Sequence, residues 1–145
     1  MRKRNLERMR YKDDTLAANM CLLAIVFDVA HFIILYSSTS IVPDYQMGID
    51  IIINILFLLI AFLASEEAKV YSRKWAFVIM GVAVVQAARM FWLPLAYHGL
   101  GQLEGAGYLA ACLSILVSAV FMLAGGIICY VNASALQKYL DKLGA

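Results

Sequence analysis

Apolar residues run in four blocks along the chain, approximately Leu16–Tyr36, Met47–Ser65, Trp75–Leu93 and Tyr108–Val131. Each is about twenty residues long, the length that crosses a hydrocarbon core of about 30 Å. In hydrocarbon the backbone must satisfy its own hydrogen bonds, so every block predicts a helix. An even number of blocks with short connections predicts an all-α membrane protein, an up-down-up-down antiparallel bundle of four transmembrane helices. Residues 1–145 then form a single transmembrane domain, with an arm at 1–15 and a tail at 132–145. The first block follows basic residues and precedes "SSTS", as a secretory signal would. It is too long for a signal core and three more blocks follow, so it reads as a retained helix. No internal repeat relates the halves.

Composition agrees with this pattern: 63% of the residues are hydrophobic and 15% charged, too few charges for the surface of a small soluble domain. Where the charges sit changes the picture more than their total. The arm "MRKRNLERMRYK" holds six of the twelve Lys and Arg, the connection "SEEAKVYSRK" three and the tail "ALQKYLDKLGA" two. The connections "SSTSIVPDYQ" and "PLAYHGLGQLEGAG" hold none, and Arg89 alone falls inside a block. The positive-inside rule therefore places both termini in the cytoplasm, in a plasma membrane or a bacterial inner membrane. Aromatic residues mark both interfaces: Tyr36, Tyr45, Trp92, Tyr97 and Tyr108 outside, Tyr11, Tyr71, Trp75, Tyr130 and Tyr139 inside. Pro43 and Pro94 mark outer helix ends, and the glycines of "GLGQLEGAG" predict a mobile outer loop. The sequon "NAS" at Asn132 falls on the cytoplasmic side and is expected to carry no glycan.

Polar residues inside the blocks are the candidate chemistry. With a rise of 1.5 Å per residue, Asp28 lies about 18 Å from the inner end of its helix, with His31 slightly further out. Asp50 and Asn54 in the second block, Gln86 and Arg89 in the third, and Ser114 and Ser118 in the fourth fall in the same outer-half zone. Helical spacing puts them on single stripes with small residues: Ala17, Cys21, Ala24, Asp28, His31 and Leu35 in the first helix, and Ala110, Ser114, Ser118, Gly125 and Cys129 in the fourth. Small and polar stripes are what close packing in lipid uses, so these faces should point inward.

An isolated charge mid-span costs about 2.5–3.5 kcal/mol on insertion scales, so the ionisable residues should pair. Asp28 is the expected partner of Arg89, with Asp50 second. His31 is expected to bond Asp50 or the Asp28–Arg89 pair. Two readings follow. The cluster is a clasp that fixes which helices touch, or it lines a solute or proton pathway.

Other chemistry has little support. Cys21, Cys112 and Cys129 form no CxxC or metal-ligand spacing, and are expected to be free buried thiols. His31 and His98 are not placed on facing helices as haem ligands would be, so no cofactor or metal is expected. Ser114 and Ser118 with His31 and Asp28 compose a triad on paper, yet serines at this spacing usually pack. The arm residues Arg2, Lys3, Arg4, Arg8, Arg10 and Lys12 are expected to set topology, the other reading being a surface for anionic lipid headgroups. No folded surface for nucleic acid is apparent. The sequence therefore predicts a non-enzymatic accessory or structural subunit of a membrane assembly, one concerned with transport. Its partners are the bilayer and another membrane subunit or a second copy of itself. A small proton- or ion-coupled transporter acting as a homo-oligomer is the alternative, and an embedded enzyme the third reading.

Overall fold

The computed structural model describes residues 13–38 and 45–143, and these form helices with no strand among them. In chain order they are α1 (Thr15–Ser38), α2 (Tyr45–Lys69), α3 (Arg73–Arg89), α4 (Leu93–Gly99) and α5 (Gly105–Leu143). Four spans are long and apolar enough to cross a membrane: α1, α2, α3 taken with α4, and α5. The basic arm, including Arg2, Lys3, Arg4, Arg8, Arg10 and Lys12, lies outside the described residues, as does Pro43.

α5 is the hub of the packing. It lies against α1 on one side and α3 on the other, while α2 packs chiefly on α1. Backbones come this close because the facing residues are small. Ala17, Cys21 and Ala24 of α1, Ala64 and Ala68 of α2, and Ala76 and Ala83 of α3 are all buried in one cluster with Cys129 of α5. Two adjacent glycines on α5 serve opposite neighbours. A Cβ at Gly125 would sit 3.1 Å from the Ala17 carbonyl oxygen, and one at Gly126 would sit 3.2 Å from the Met80 amide nitrogen. Larger apolar residues such as Val26, Ile52, Leu59, Val84 and Val120 remain exposed on the outside, where acyl chains would meet them.

Asp14 ties one end together. Its carboxylate caps α1 by accepting from the Ala17 amide at 3.2 Å and takes a second bond from Asn132 Nδ2 at 2.8 Å. Its own amide donates to the Lys69 carbonyl at 3.0 Å, so the start of α1, the end of α2 and α5 meet there. The nitrogen a glycan would need at Asn132 is thus engaged inside the protein. Between α2 and α3, Tyr71 adopts φ 56°, a left-handed conformation that side chains rarely take. Burial, then the charges of Asp14 and Asp13, push its hydroxyl up from the usual tyrosine pKa.

The third span departs from the uninterrupted helix expected over residues 75–93. α3 stops at Arg89, and the amides of Met90, Phe91 and Trp92 turn to carbonyls three residues back, at 3.0–3.2 Å. Pro94 explains the tightening. It has no N–H for the Met90 carbonyl, and its ring crowds that same carbonyl. Proline is nevertheless well suited to the first turn of a helix, and α4 begins around it.

The outer loop "GLGQLEGAG" is short between its helices: Gly99 closes α4, Gly105 opens α5, and the amides of Gln102 and Leu103 bond back to the Tyr97 carbonyl. His98 Nδ1 donates to the Leu103 carbonyl at 2.9 Å, and Leu103 itself is fully buried with Leu35, Tyr97 and Ala111. Glycine is required at two points, Gly101 and Gly105, where φ is 67° and 54°. The last helix runs on beyond Val131 to Leu143, without a break where the tail was expected to begin.

Candidate functional site

Eight polar residues predicted to share one zone are all buried, none more than 8% exposed: Asp28, His31, Asp50, Asn54, Gln86, Arg89, Ser114 and Ser118. α1 supplies the first two, α2 the next two, α3 Gln86 and Arg89, and α5 the serines. Each pair occupies successive turns of one helix face, which is why the helices can turn them inward together.

Arg89 is the centre. Its Nη2 donates to Asn54 Oδ1, and its Nη1 donates to Gln86 Oε1 at 2.9 Å. The guanidinium also lies over the Phe57 ring, 4.5 Å from the centroid. Gln86 in turn donates from Nε2 to Asp28 Oδ1. Its amide orientation follows from these partners, because the oxygen must face the guanidinium and the nitrogen the carboxylate. Asp28 and Arg89 form an ion pair with Oδ1 and Nη1 3.7 Å apart. The expected pairing is therefore present as an ion pair, whereas the hydrogen bonding between the two charges passes through Gln86. One network thereby joins α1, α2 and α3.

Asp50 stands beside that network rather than in it. Its Oδ2 accepts from the Tyr97 hydroxyl at 3.0 Å, while Asn54 Nδ2 bonds the Asp50 backbone carbonyl. His31 bonds neither carboxylate, contrary to expectation. Its Nδ1 lies 2.8 Å from the Ala111 carbonyl oxygen. A carbonyl only accepts, so Nδ1 carries the proton and Nε2, which has no partner among the described residues, is a bare acceptor in the neutral ring. Ser114 donates to the same carbonyl at 3.0 Å, and Ser118 donates across to the Ala24 carbonyl of α1 at 2.8 Å. The relay a triad requires, from serine to histidine to carboxylate, is not formed by these four side chains.

A cavity of about 10 Å³ adjoins the network, lined by Asp28, Gln86 and Ser118 with Ala24, Phe57 and Met122 among its apolar walls. That is space for about one water molecule. Tyr97 and Phe57 contact the site without having been singled out in the sequence. In sequence Tyr97 reads as one of the outer interfacial aromatics, and Phe57 differs in no local respect from its apolar neighbours.

Four apolar helices of spanning length around a buried polar network fit a small multi-pass membrane protein. Compared with known families, curated proteins and solved structures, the chain finds no match.

Proposed function

We propose that the chain is a non-enzymatic accessory or structural subunit of a membrane assembly concerned with transport, and that its polar cluster is a clasp. Its four spans alternate up and down in a plasma or bacterial inner membrane, with both termini cytoplasmic. The distribution of Lys and Arg supports that orientation. The meeting of Asp14 with Lys69 and Asn132 supports the alternation, since it joins one helix start to another helix end.

One observation carries the reading. The charges of Asp28 and Arg89 oppose each other, their bonds run through Gln86 and Asn54, and the adjoining cavity has room for only about one water. A tightly enclosed, cross-bonded cluster suits a device that fixes helix partners. A solute route needs a wider path. The test is to extract the chain with its surrounding native lipid and identify what accompanies it. The expected result is a second membrane protein in constant ratio.

A small proton- or ion-coupled transporter is the second reading, favoured by His31 Nε2 and Arg89 Nε, which are buried without partners among the described residues. Recovery of the chain with no other protein, together with proton flux in vesicles that Asp28→Asn abolishes, would put that reading first.

A further inference from the structure

The seam between α3 and α5 faces outward along much of its length. Phe77 and Val84 on α3, and Val120 and Ile127 on α5, are all exposed. Partway along, an apolar groove of about 150 Å³ separates the helices, with Ala83, Ala87 and Ala119 leaving the space that Val84, Val120 and Leu123 border. Small residues on both helices make the depression, and no polar side chain lines it.

At the α3 start the seam becomes basic. Arg73 Nη2 donates to the Tyr130 hydroxyl at 3.3 Å, and the guanidinium sits 5.3 Å from the centre of the same ring. Phe77 packs edge-on against that ring from the groove side, at 5.3 Å. Lys138 follows about two turns further along α5, about 12 Å on at 1.5 Å per residue. Among the described residues, neither Arg73 nor Lys138 has a carboxylate within salt-bridge distance, and both are exposed. Arg73 on the Tyr130 ring, with Lys138 beyond it, thus gives the apolar seam a basic end.

We infer that this seam holds one anionic phospholipid, with its phosphate between Arg73 and Lys138 and an acyl chain laid past Phe77 into the groove. The dimensions agree. Val84 lies about 16 Å along α3 from Arg73, close to the half-thickness of a hydrocarbon core, about 15 Å. The charge selects the lipid: a zwitterionic headgroup would bring a third cation beside Arg73 and Lys138, whereas a phosphatidylglycerol headgroup brings only the anion. Arg73 is held in place by Tyr130 before any lipid arrives, which lowers the ordering cost of binding.

Native mass spectrometry of the full chain in neutral detergent tests this. The probes are phosphatidylglycerol and phosphatidylcholine with identical acyl chains, in equal amounts. One phosphatidylglycerol per chain should be retained in preference to phosphatidylcholine. Arg73→Gln with Lys138→Gln should weaken retention about fivefold per charge removed, while Arg73→Lys with Lys138→Arg should preserve it. Ala87→Phe, which fills the groove and leaves the charges, should also weaken retention. Equal retention of both lipids would overturn the inference, as would a double glutamine variant that behaves like the parent. So would retention that falls only when the arm cations Arg2, Lys3 and Arg4 are neutralised. A change in oligomer mass in Ala87→Phe, with lipid retention unaltered, would make the seam a contact between copies and overturn it equally.

Discussion

Gln86 donates to Asp28 and accepts from Arg89, so one uncharged side chain stands between the two buried charges. The energetic consequence is that the charges and the hydrogen bonds can be tested separately. Asp28→Asn or Arg89→Gln leaves a buried charge without its opposite, a loss of about 3–5 kcal/mol by the usual cost of breaking such a pair. The double variant removes both charges and keeps polar groups, and should recover most of that stability. Gln86→Leu keeps the charges facing each other but deletes the bonds between them, and should cost about 1–3 kcal/mol. Thermal unfolding in one detergent measures all four. A double variant no more stable than the sum of its single losses would mean the two charges do not compensate each other. That these residues lie inward was legible, because Asp28 and His31 share a helical stripe with small residues, and Gln86 and Arg89 fall on one face of their helix. Their partners were not. Stripe and depth locate a side chain along its helix but not sideways, so Gln86, one turn from Arg89, could take the position between the charges. His31 found a backbone carbonyl, which has no signature in sequence.

Helices approach one another here through glycine, and the glycines are not equivalent. At Gly125 a methyl group would press on the Ala17 carbonyl and Cys21 Sγ, and at Gly126 on Ile79 and the Met80 backbone. A Cβ at Gly81, in the interior of α3, meets nothing within 4 Å. Gly125→Ala and Gly126→Ala should each lower stability by about 1–3 kcal/mol, the range for overfilling a packed site. Gly81→Ala should raise it by about 0.5–1 kcal/mol, because alanine loses less backbone freedom in a helix. Equal effects at the three positions, read from unfolding midpoints, would show that the α1–α5 and α3–α5 contacts are looser than their geometry. Element boundaries were less legible than element type. Pro94 marked an end, yet the chain resumed as α4, since a proline that breaks one helix also starts the next. The run of α5 to Leu143 was missed because hydropathy stops at the membrane, whereas helix-forming residues such as Ala135, Leu136, Gln137 and Lys138 do not.

Across the whole molecule, charge asymmetry and packing make independent statements about topology, and both can be checked in one experiment. Asp14, Lys69 and Asn132 share one end, together with Arg73 and Lys142 nearby in sequence to these elements. The turn carrying Gly101 and Glu104 follows α4 and lies with Leu35, Tyr97 and Leu103 at the other. The all-helical character and the four spans were legible because lipid permits few backbone solutions. The side proposed for each end rests on the distribution of Lys and Arg alone. The native thiols are poor reporters, since Cys21 and Cys129 are buried and Cys112 is half-buried. Single cysteines placed at two exposed positions, Glu104→Cys and Lys142→Cys, therefore stand out against the parent chain. With a membrane-impermeant maleimide applied to intact cells, Glu104→Cys should react at once and Lys142→Cys only after the membrane is opened. The reverse pattern would invert the protein and put its most basic end outside, against the positive-inside rule. Labelling of both in intact cells would place these two ends of α5 on the same side, and α5 would then not cross the membrane at all.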